Sequence, residues 1–315
     1  MAKSQKTKPY RYKSTTPLHV NLKKNAALYL MVLPGFLLIL VFSYFPMYGI
    51  VMAFQNFRPL DGFFGSEFVG LRHFQRIWSD MLFRRAFMNS LWLGIYSIIF
   101  AFPAPILLAL LFNEIKHTKY KRIAQTVSYM PFFLSSVIVV GILRDMLGVS
   151  SGVVNIGLDA MGFNRIDFFL NPGWFRTLFI GSGIWMGVGY GSIIYLAAIS
   201  GVNPELYESA RIDGGNRLQQ AVHITLPSIL PTVTILFIFA LGGILGNDWQ
   251  RILLMYNPAI YSTADVVGTY VYRIGIEGGS ASYAAAVGLS MSVIAVFFLT
   301  TTNYICKKLG ETSLW

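Results

Sequence analysis

Asn203-Pro204-Glu205-Leu206-Tyr207-Glu208-Ser209-Ala210-Arg211-Ile212-Asp213-Gly214-Gly215 is a polar stretch between two long apolar runs, and its reading decides how the rest of the chain is read. Asn203 is a good helix cap, Pro204 suits the first helical position, and Glu205 complements the positive end of a helix. Gly214 and Gly215 supply a left-handed stop. The spacing predicts a helix of about three turns standing clear of its apolar neighbours. A second short helix through Leu218 to Ile224 leads to Leu226-Pro227, where the chain becomes apolar again. Ser209 and Ala210 are small, so that face fits a groove on a partner, with Glu208, Arg211 and Asp213 as charged contacts around it. On these residues alone, an amphipathic loop without a partner is the alternative.

The apolar runs on either side set the fold class. Of 315 residues, 55% are hydrophobic and only 12% charged, against roughly 25% charged in soluble domains. Lipid covering most of the surface explains the deficit. Six runs are long enough to cross a hydrocarbon core, which needs about 20 residues per helix. They lie near residues 27–53, 88–112, 125–146, 176–200, 226–246 and 284–306. The expected fold is an all-α integral membrane protein with one six-helix domain, 26–306, whose docking loop spans about 201–227. A basic tail, 1–25, precedes it and a short tail, 307–315, follows. The first run is too long for a signal-peptide core and has no small-residue cleavage site after it. The central part of each run lacks Asp, Glu, Lys, Arg and His. Ion-coupled carriers usually keep such a group within the membrane, so that class is disfavoured.

The lysines orient the chain. They fall in the tail (Lys3, Lys6, Lys8, Lys13, Lys23, Lys24), after the second run (Lys116, Lys119, Lys121) and at the carboxyl end (Lys307, Lys308). The positive-inside bias makes that side cytoplasmic, and with six crossings the Glu208 loop falls there too. A net charge of +11 invites a nucleic-acid reading, but the basic tail is better explained by topology and contact with anionic lipid. Cys306 stands alone, so neither a disulfide framework nor a metal site is expected. His19, His73, His117 and His223 are scattered over different loops and form no catalytic cluster. No Gly-x-x-x-x-Gly-Lys-Ser/Thr phosphate loop occurs.

Within the runs, Pro34 and Pro46 should kink the first helix. Residues Leu71 to Phe87 read as one amphipathic helix along the outer surface, with Phe74, Ile77, Trp78, Met81 and Leu82 at helical spacing. The fourth run holds Gly181, Gly183, Gly187, Gly189 and Gly191. Gly183–Gly187–Gly191 fits the small-residue spacing that lets helices approach closely in lipid, and the bare face could also line a path. Ten arginines fall on the outer side: Arg58, Arg72, Arg76, Arg84, Arg85, Arg144, Arg165, Arg176, Arg251 and Arg273. They read as loop solvation, headgroup anchors or contacts to a partner. An acidic glycan would suit an arginine-lined entrance, because Arg pairs well with carboxylate.

Glu208, Ala210, Gly214, Ile224, Leu226 and Pro227 match the pattern Glu-x-Ala, a Gly, an Ile and x-Leu-Pro at fixed distances. This resembles the EAA loop of permease subunits in binding-protein-dependent ABC importers, with Ser209 where that family usually has Ala. Pro46-Met47-Tyr48-Gly49-Ile50 and Phe68-Val69-Gly70-Leu71-Arg72-His73-Phe74 look like the permeases for polysaccharides and complex oligosaccharides. The resemblance implies a type I importer permease in the bacterial plasma membrane, multi-pass with its N-terminus cytoplasmic. It implies pairing with a second, different permease, two ATPase subunits carrying ATP and Mg, and an extracytoplasmic solute-binding protein that delivers an oligosaccharide. No cofactor is expected in this chain, and no catalysis. By position relative to the loop, Gly187, Tyr190 and Asn247 match places where sugar-contacting residues occur in maltose-type permeases, and Trp185 and Trp249 could add stacking surfaces. The blander reading has Tyr190 and Trp185 facing lipid or a partner, and Asn247 only capping the fifth helix. An importer for a non-sugar solute, or an ion-coupled carrier, remains the alternative.

Overall fold

The computed structural model describes residues 24–309 and 312–314, so most of the expected basic tail lies outside the described residues. Contacts divide the chain into two units, residues 1–51 and 52–315. In the first, helix α1 (Ala26–Ile39) runs through a π-turn at Leu40–Tyr44 into a 3-10 stretch that reaches Phe54. No side chain of Ala26–Tyr44 is buried.

The second unit begins with a two-stranded ribbon, β1 (Gln55–Asn56) against β2 (Glu67–Phe68), antiparallel with Gln55 opposite Phe68. The amphipathic helix expected over Leu71–Phe87 is two elements. Helix α2 (Arg72–Ser79) ends at Asp80, whose backbone is extended. Asp80 Oδ1 then accepts the Leu82 and Phe83 amides at 2.8 and 3.3 Å and starts a new helix. That helix, α3 (Met81–Glu114), is longer than the expected second span because the cap sets its start.

The third span is the main departure from a straight apolar run. Helix α4 (Thr118–Phe133) and helix α5 (Ser136–Leu147) meet at a bend of 100°. Pro131 lacks an N–H and lies in a 3-10 turn, Leu134 is extended, and Ser135 caps the Ile138 amide to restart the helix. After helix α6 (Val153–Ala160), Asn171 caps helix α7 (Pro172–Ser200) through the Gly173 amide, as the Asn-Pro-Gly signal requires. Helix α8 (Pro204–Ile212) is the predicted loop helix. The short helix and the fifth span are one rod, α9 (Arg217–Gly242), rather than two elements meeting at Leu226. Helices α10 (Trp249–Met255), α11 (Val267–Tyr272) and α12 (Ala281–Lys308) complete the unit. Among the described residues, five helices are long and apolar enough to cross a membrane, and the bent pair makes six.

Helix α3 is the spine. Its Phe83 and Ala86 pack with Ile77, Tyr270, Tyr283 and Ala286; its Leu93 packs with Phe175, Phe179 and Ile252; its Ile106 and Ala109 pack with Tyr195, Ile199 and Ile229. Lipid gives no hydrophobic drive between helices, so close backbone approach matters. A Cβ on Gly189 would collide with the Ser128 carbonyl and the Tyr129 amide, and one on Gly94 with the Ile244 carbonyl. Gly183 and Gly191 are tight against the Arg251 guanidinium and Pro105, whereas Gly187 meets nothing within 4 Å. Of the α7 glycines, the tightest against a neighbouring helix is therefore Gly189, outside the expected Gly183–Gly187–Gly191 row.

Several of the ten outer arginines hold the fold rather than solvate loops. Asp265 is fully buried, with Arg273 bidentate at 3.0 and 2.8 Å and Arg85 at 3.6 Å. Thr269 donates to the same carboxylate at 3.0 Å, and Asn89 of α3 donates to the carbonyls of Ser262 and Asp265. Removing one partner of such a buried pair costs on the order of 3–5 kcal/mol. Arg144 donates to the Leu254 carbonyl, and Arg165 pairs with Asp159.

Two outcomes follow. Gly189→Val should destabilise the purified protein by about 1–3 kcal/mol or more through overpacking, while Gly187→Ala should leave its Tm unchanged; thermal unfolding in detergent reads both. Burial pushes the Asp80 carboxyl up, but hydrogen bonds from the Tyr270 hydroxyl, the Phe83 and Leu82 amides and the Tyr283 hydroxyl outweigh it and hold it below its ordinary value of 3.8. Its contribution should be complete above that value and lost as pH falls through the lower folded one. Asp80→Asn should flatten the Tm-versus-pH curve in that acid window.

Candidate functional site

The loop is built as its residues dictate. Asn203 Oδ1 accepts the Glu205 amide at 3.0 Å, and Pro204 occupies the first turn of α8. At the far end the Gly215 amide reaches back to the Ala210 carbonyl (2.7 Å) and the Gly214 amide to Arg211 (3.2 Å). This paired 6→1 and 5→2 arrangement needs Gly214 at φ +79°. Asn216 then opens α9 with a reciprocal capping box, its side chain on the Gln219 amide and the Gln219 side chain on its own amide.

Three contacts fix α8 and its flanks to the membrane helices. The Tyr207 hydroxyl meets Thr225 Oγ1 at 2.9 Å, beside the π-turn at Ala221–Thr225. Gln220 donates to the Gly215 carbonyl, and Arg217 pairs with Glu114 at the end of α3, 3.3 Å away. Glu208, Ser209, Arg211 and Asp213 are exposed and Ala210 is half-buried. Among the described residues Glu208 has no hydrogen-bond or ionic partner. Ile212 is 86% exposed and Leu218 74%, so apolar surface stands beside the free carboxylate. Ile224 is half-buried and lines a groove of about 300 Å³ with Ala210, Asp213, Gly214 and His223. Leu226 and Pro227 lie just past the π-turn, inside the α9 rod rather than at its start. A free acid, a small-residue face and exposed apolar side chains on a rigidly tethered helix can dock into a cleft.

The path candidates are not gathered at one place. Asn247 does not cap the fifth span: its amide crosses to the Ser90 carbonyl of α3, 3.2 Å away. It lines two cavities, one of about 320 Å³ with Phe179 and Arg251 and another of about 500 Å³ with Trp249 and Tyr272. Trp249 packs on Gly268 and against the Tyr272 ring. Tyr190 stacks on Phe132, with ring centroids 3.9 Å apart and planes 7° apart, and so braces the α4–α5 bend. Tyr190 and Trp185 are each about half exposed, and with Gly187 they line neither cavity. Arg251, read from sequence as an outer-side arginine, is only 6% exposed beside Asn247. Its one sequence signal is Asp248, three residues before it at the cap of a short helix.

Gly214→Ala should strain the left-handed stop by about 1–2 kcal/mol. Hydrogen–deuterium exchange across 204–215 should accelerate, with exchange in α12 unchanged.

The description "Binding-protein-dependent transport system inner membrane component" matches residues 101–309. The polygalacturonan/rhamnogalacturonan transport system permease protein YteP of Bacillus subtilis (strain 168) is 41% identical over 298 residues, covering 95% of this chain and 93% of that protein. A chain in the crystal structure of a bacterial ABC transporter involved in import of the acidic polysaccharide alginate superposes with a TM-score of 0.85 at 41% identity, covering 92% of this chain and 98% of that one. A chain of the bacterial alginate ABC transporter in complex with alginate pentasaccharide-bound periplasmic protein gives 0.86 at 40% identity, covering 94% and 99%. With the bent third span and the capped loop helix already in place, the match over nearly the whole length settles the kinship: the chain belongs to the binding-protein-dependent transport system inner membrane components, the multi-pass permease subunits of ABC importers.

Proposed function

We propose that this permease carries an acidic oligosaccharide or polysaccharide fragment, a uronate-type glycan, into the cell. The observation that carries the substrate class is that relatives about 40% identical over almost the whole chain serve polygalacturonan/rhamnogalacturonan and alginate. A solute-binding protein hands over the glycan, as the periplasmic protein in the alginate complex supports. The chain pairs with a second, different permease, and two ATPase subunits that bind ATP and Mg supply the energy. This chain holds no cofactor and catalyses nothing. Its N-terminus and its α8 loop face the cytoplasm, on the side of the lysines.

The docking element is α8. Its unpaired Glu208 meets a basic group on the ATPase, Ser209 and Ala210 enter the cleft, Arg211 and Asp213 contact its rim, and Gly214 lets the chain turn back into the membrane. Closure of the ATPases moves α8 as a rigid body. Tyr207, Gln220 and the Arg217–Glu114 pair pass that motion to α9 and α3.

The test is ATP hydrolysis by the reconstituted complex of this chain with its partner permease, ATPase and binding protein, supplied with neutral and acidic oligosaccharides. Acidic oligomers should stimulate turnover, and Glu208→Ala and Gly214→Pro should return it to the unstimulated level. Stimulation by neutral sugars alone would remove the acidic assignment. Wild-type behaviour of both loop variants would remove the docking assignment.

A further inference from the structure

The helices of this permease keep their cores uncharged, yet one charge reaches their middle from outside the spans. Arg251, in α10, donates through Nη1 to Ser182 Oγ at 3.3 Å and lies 3.8 Å from Met186 Sδ. Met186 is the midpoint of the 29-residue helix α7. An ionisable group beside the middle of a membrane-spanning helix points by default to a functional site, and Arg251 is only partly paired. Its guanidinium carbon lies 4.2 Å above the Phe179 ring, and Gly183 leaves the room it needs. Among the described residues its only anionic neighbour is Asp248, whose Oδ2 lies 3.3 Å from Nε but off the N–H line, so that buried Nε has no hydrogen bond. Asp248 is committed elsewhere as well, since its other oxygen caps α10 on the Arg251 amide, and its side chain is 44% exposed.

The guanidinium faces the 320 Å³ cavity shared with Asn247, Gly94, Ser97 and Gly243. Asn247 uses its amide nitrogen on Ser90, which leaves its oxygen for a sugar hydroxyl. A planar fork with unused donors, held by an aromatic face beside a neutral polar group, is suited to a carboxylate on a sugar ring. We infer that Arg251 reads the carboxylate of the passing glycan, and so sets selectivity for acidic over neutral saccharide within the membrane path. This rests on the acidic-glycan reading above, and it adds a residue that acts after the binding protein has released its cargo.

The test is uptake of a labelled oligogalacturonate, and of the same oligomer as its methyl ester, by proteoliposomes holding the whole complex with saturating binding protein. Basal ATP hydrolysis reports assembly. In Arg251→Gln the acid-to-ester uptake ratio should fall by about tenfold or more, the order expected for a lost charge-assisted hydrogen bond. Arg251→Lys should fall between. If Arg251→Gln does not assemble, the ratio is read on Arg251→Lys. An unchanged ratio, whether or not total uptake falls, overturns the inference and leaves Arg251 as a strut between α7 and α10. Failure of the wild type to take up the acid form overturns the acidic-glycan reading itself.

Discussion

Lipid offers a backbone amide no hydrogen bond, and this constraint shapes most of the molecule. The chain nonetheless carries prolines inside its apolar runs. It accommodates three of them the same way: the π-turns at Leu40–Tyr44, Ser97–Ala101 and Ala221–Thr225 each end two residues before Pro46, Pro103 and Pro227. A proline ring collides with the carbonyl four residues back and has no donor for it. Widening the preceding turn relieves the collision and keeps the neighbouring amides bonded, as from Phe102 to the Ser97 carbonyl at 2.8 Å. At Pro131 the chain breaks instead, and Ser135 re-caps it. Stacking of Tyr190 on Phe132 and the bare backbone of Gly189 brace that break.

The same economy of polar groups organises the two ends of the bundle. At one end, buried Asp265 gathers Arg273, Arg85 and Thr269, while Asn89 and Ser90 of α3 satisfy the backbone between Ser262 and Val267. At the other, the Gly214 and Gly215 amides close the end of α8 and the Asn216–Gln219 capping box opens α9 directly after them. Because α9 runs unbroken from Arg217 to Gly242, the Tyr207–Thr225 contact ties α8 to a membrane-length rod rather than to a slack linker.

Much of this was legible in the chain. Asn203, Pro204 and the Gly214-Gly215 pair fixed α8 to within its own caps, because capping is a local matter of donors and dihedral angles. Apolar length located the spans. Helical spacing overran at Leu71–Phe87, where one carboxylate, Asp80, converts a continuous amphipathic pattern into two helices. Apolar length hid a second break, the bend at Pro131, since hydropathy is the same for a straight run and a broken one. For the path, position relative to the loop pointed to Gly187, Tyr190 and Asn247, with Trp185 and Trp249 as stacking surfaces; of these Asn247 and Trp249 line cavities, whereas Tyr190 stacks on Phe132.

The sequence alone determined that the chain is helical, crosses a membrane about six times and presents a capped polar helix between its fourth and fifth spans. Each of these rests on hydropathy, charge and capping within a few residues. Only the tertiary structure decided which glycine lets helices touch, which arginines are buried, and that an arginine from α10 reaches the middle of α7. Arg251 is separated from Ser182 by 69 residues. No local period encodes that meeting, which depends on how α7, α9 and α10 pack around α3.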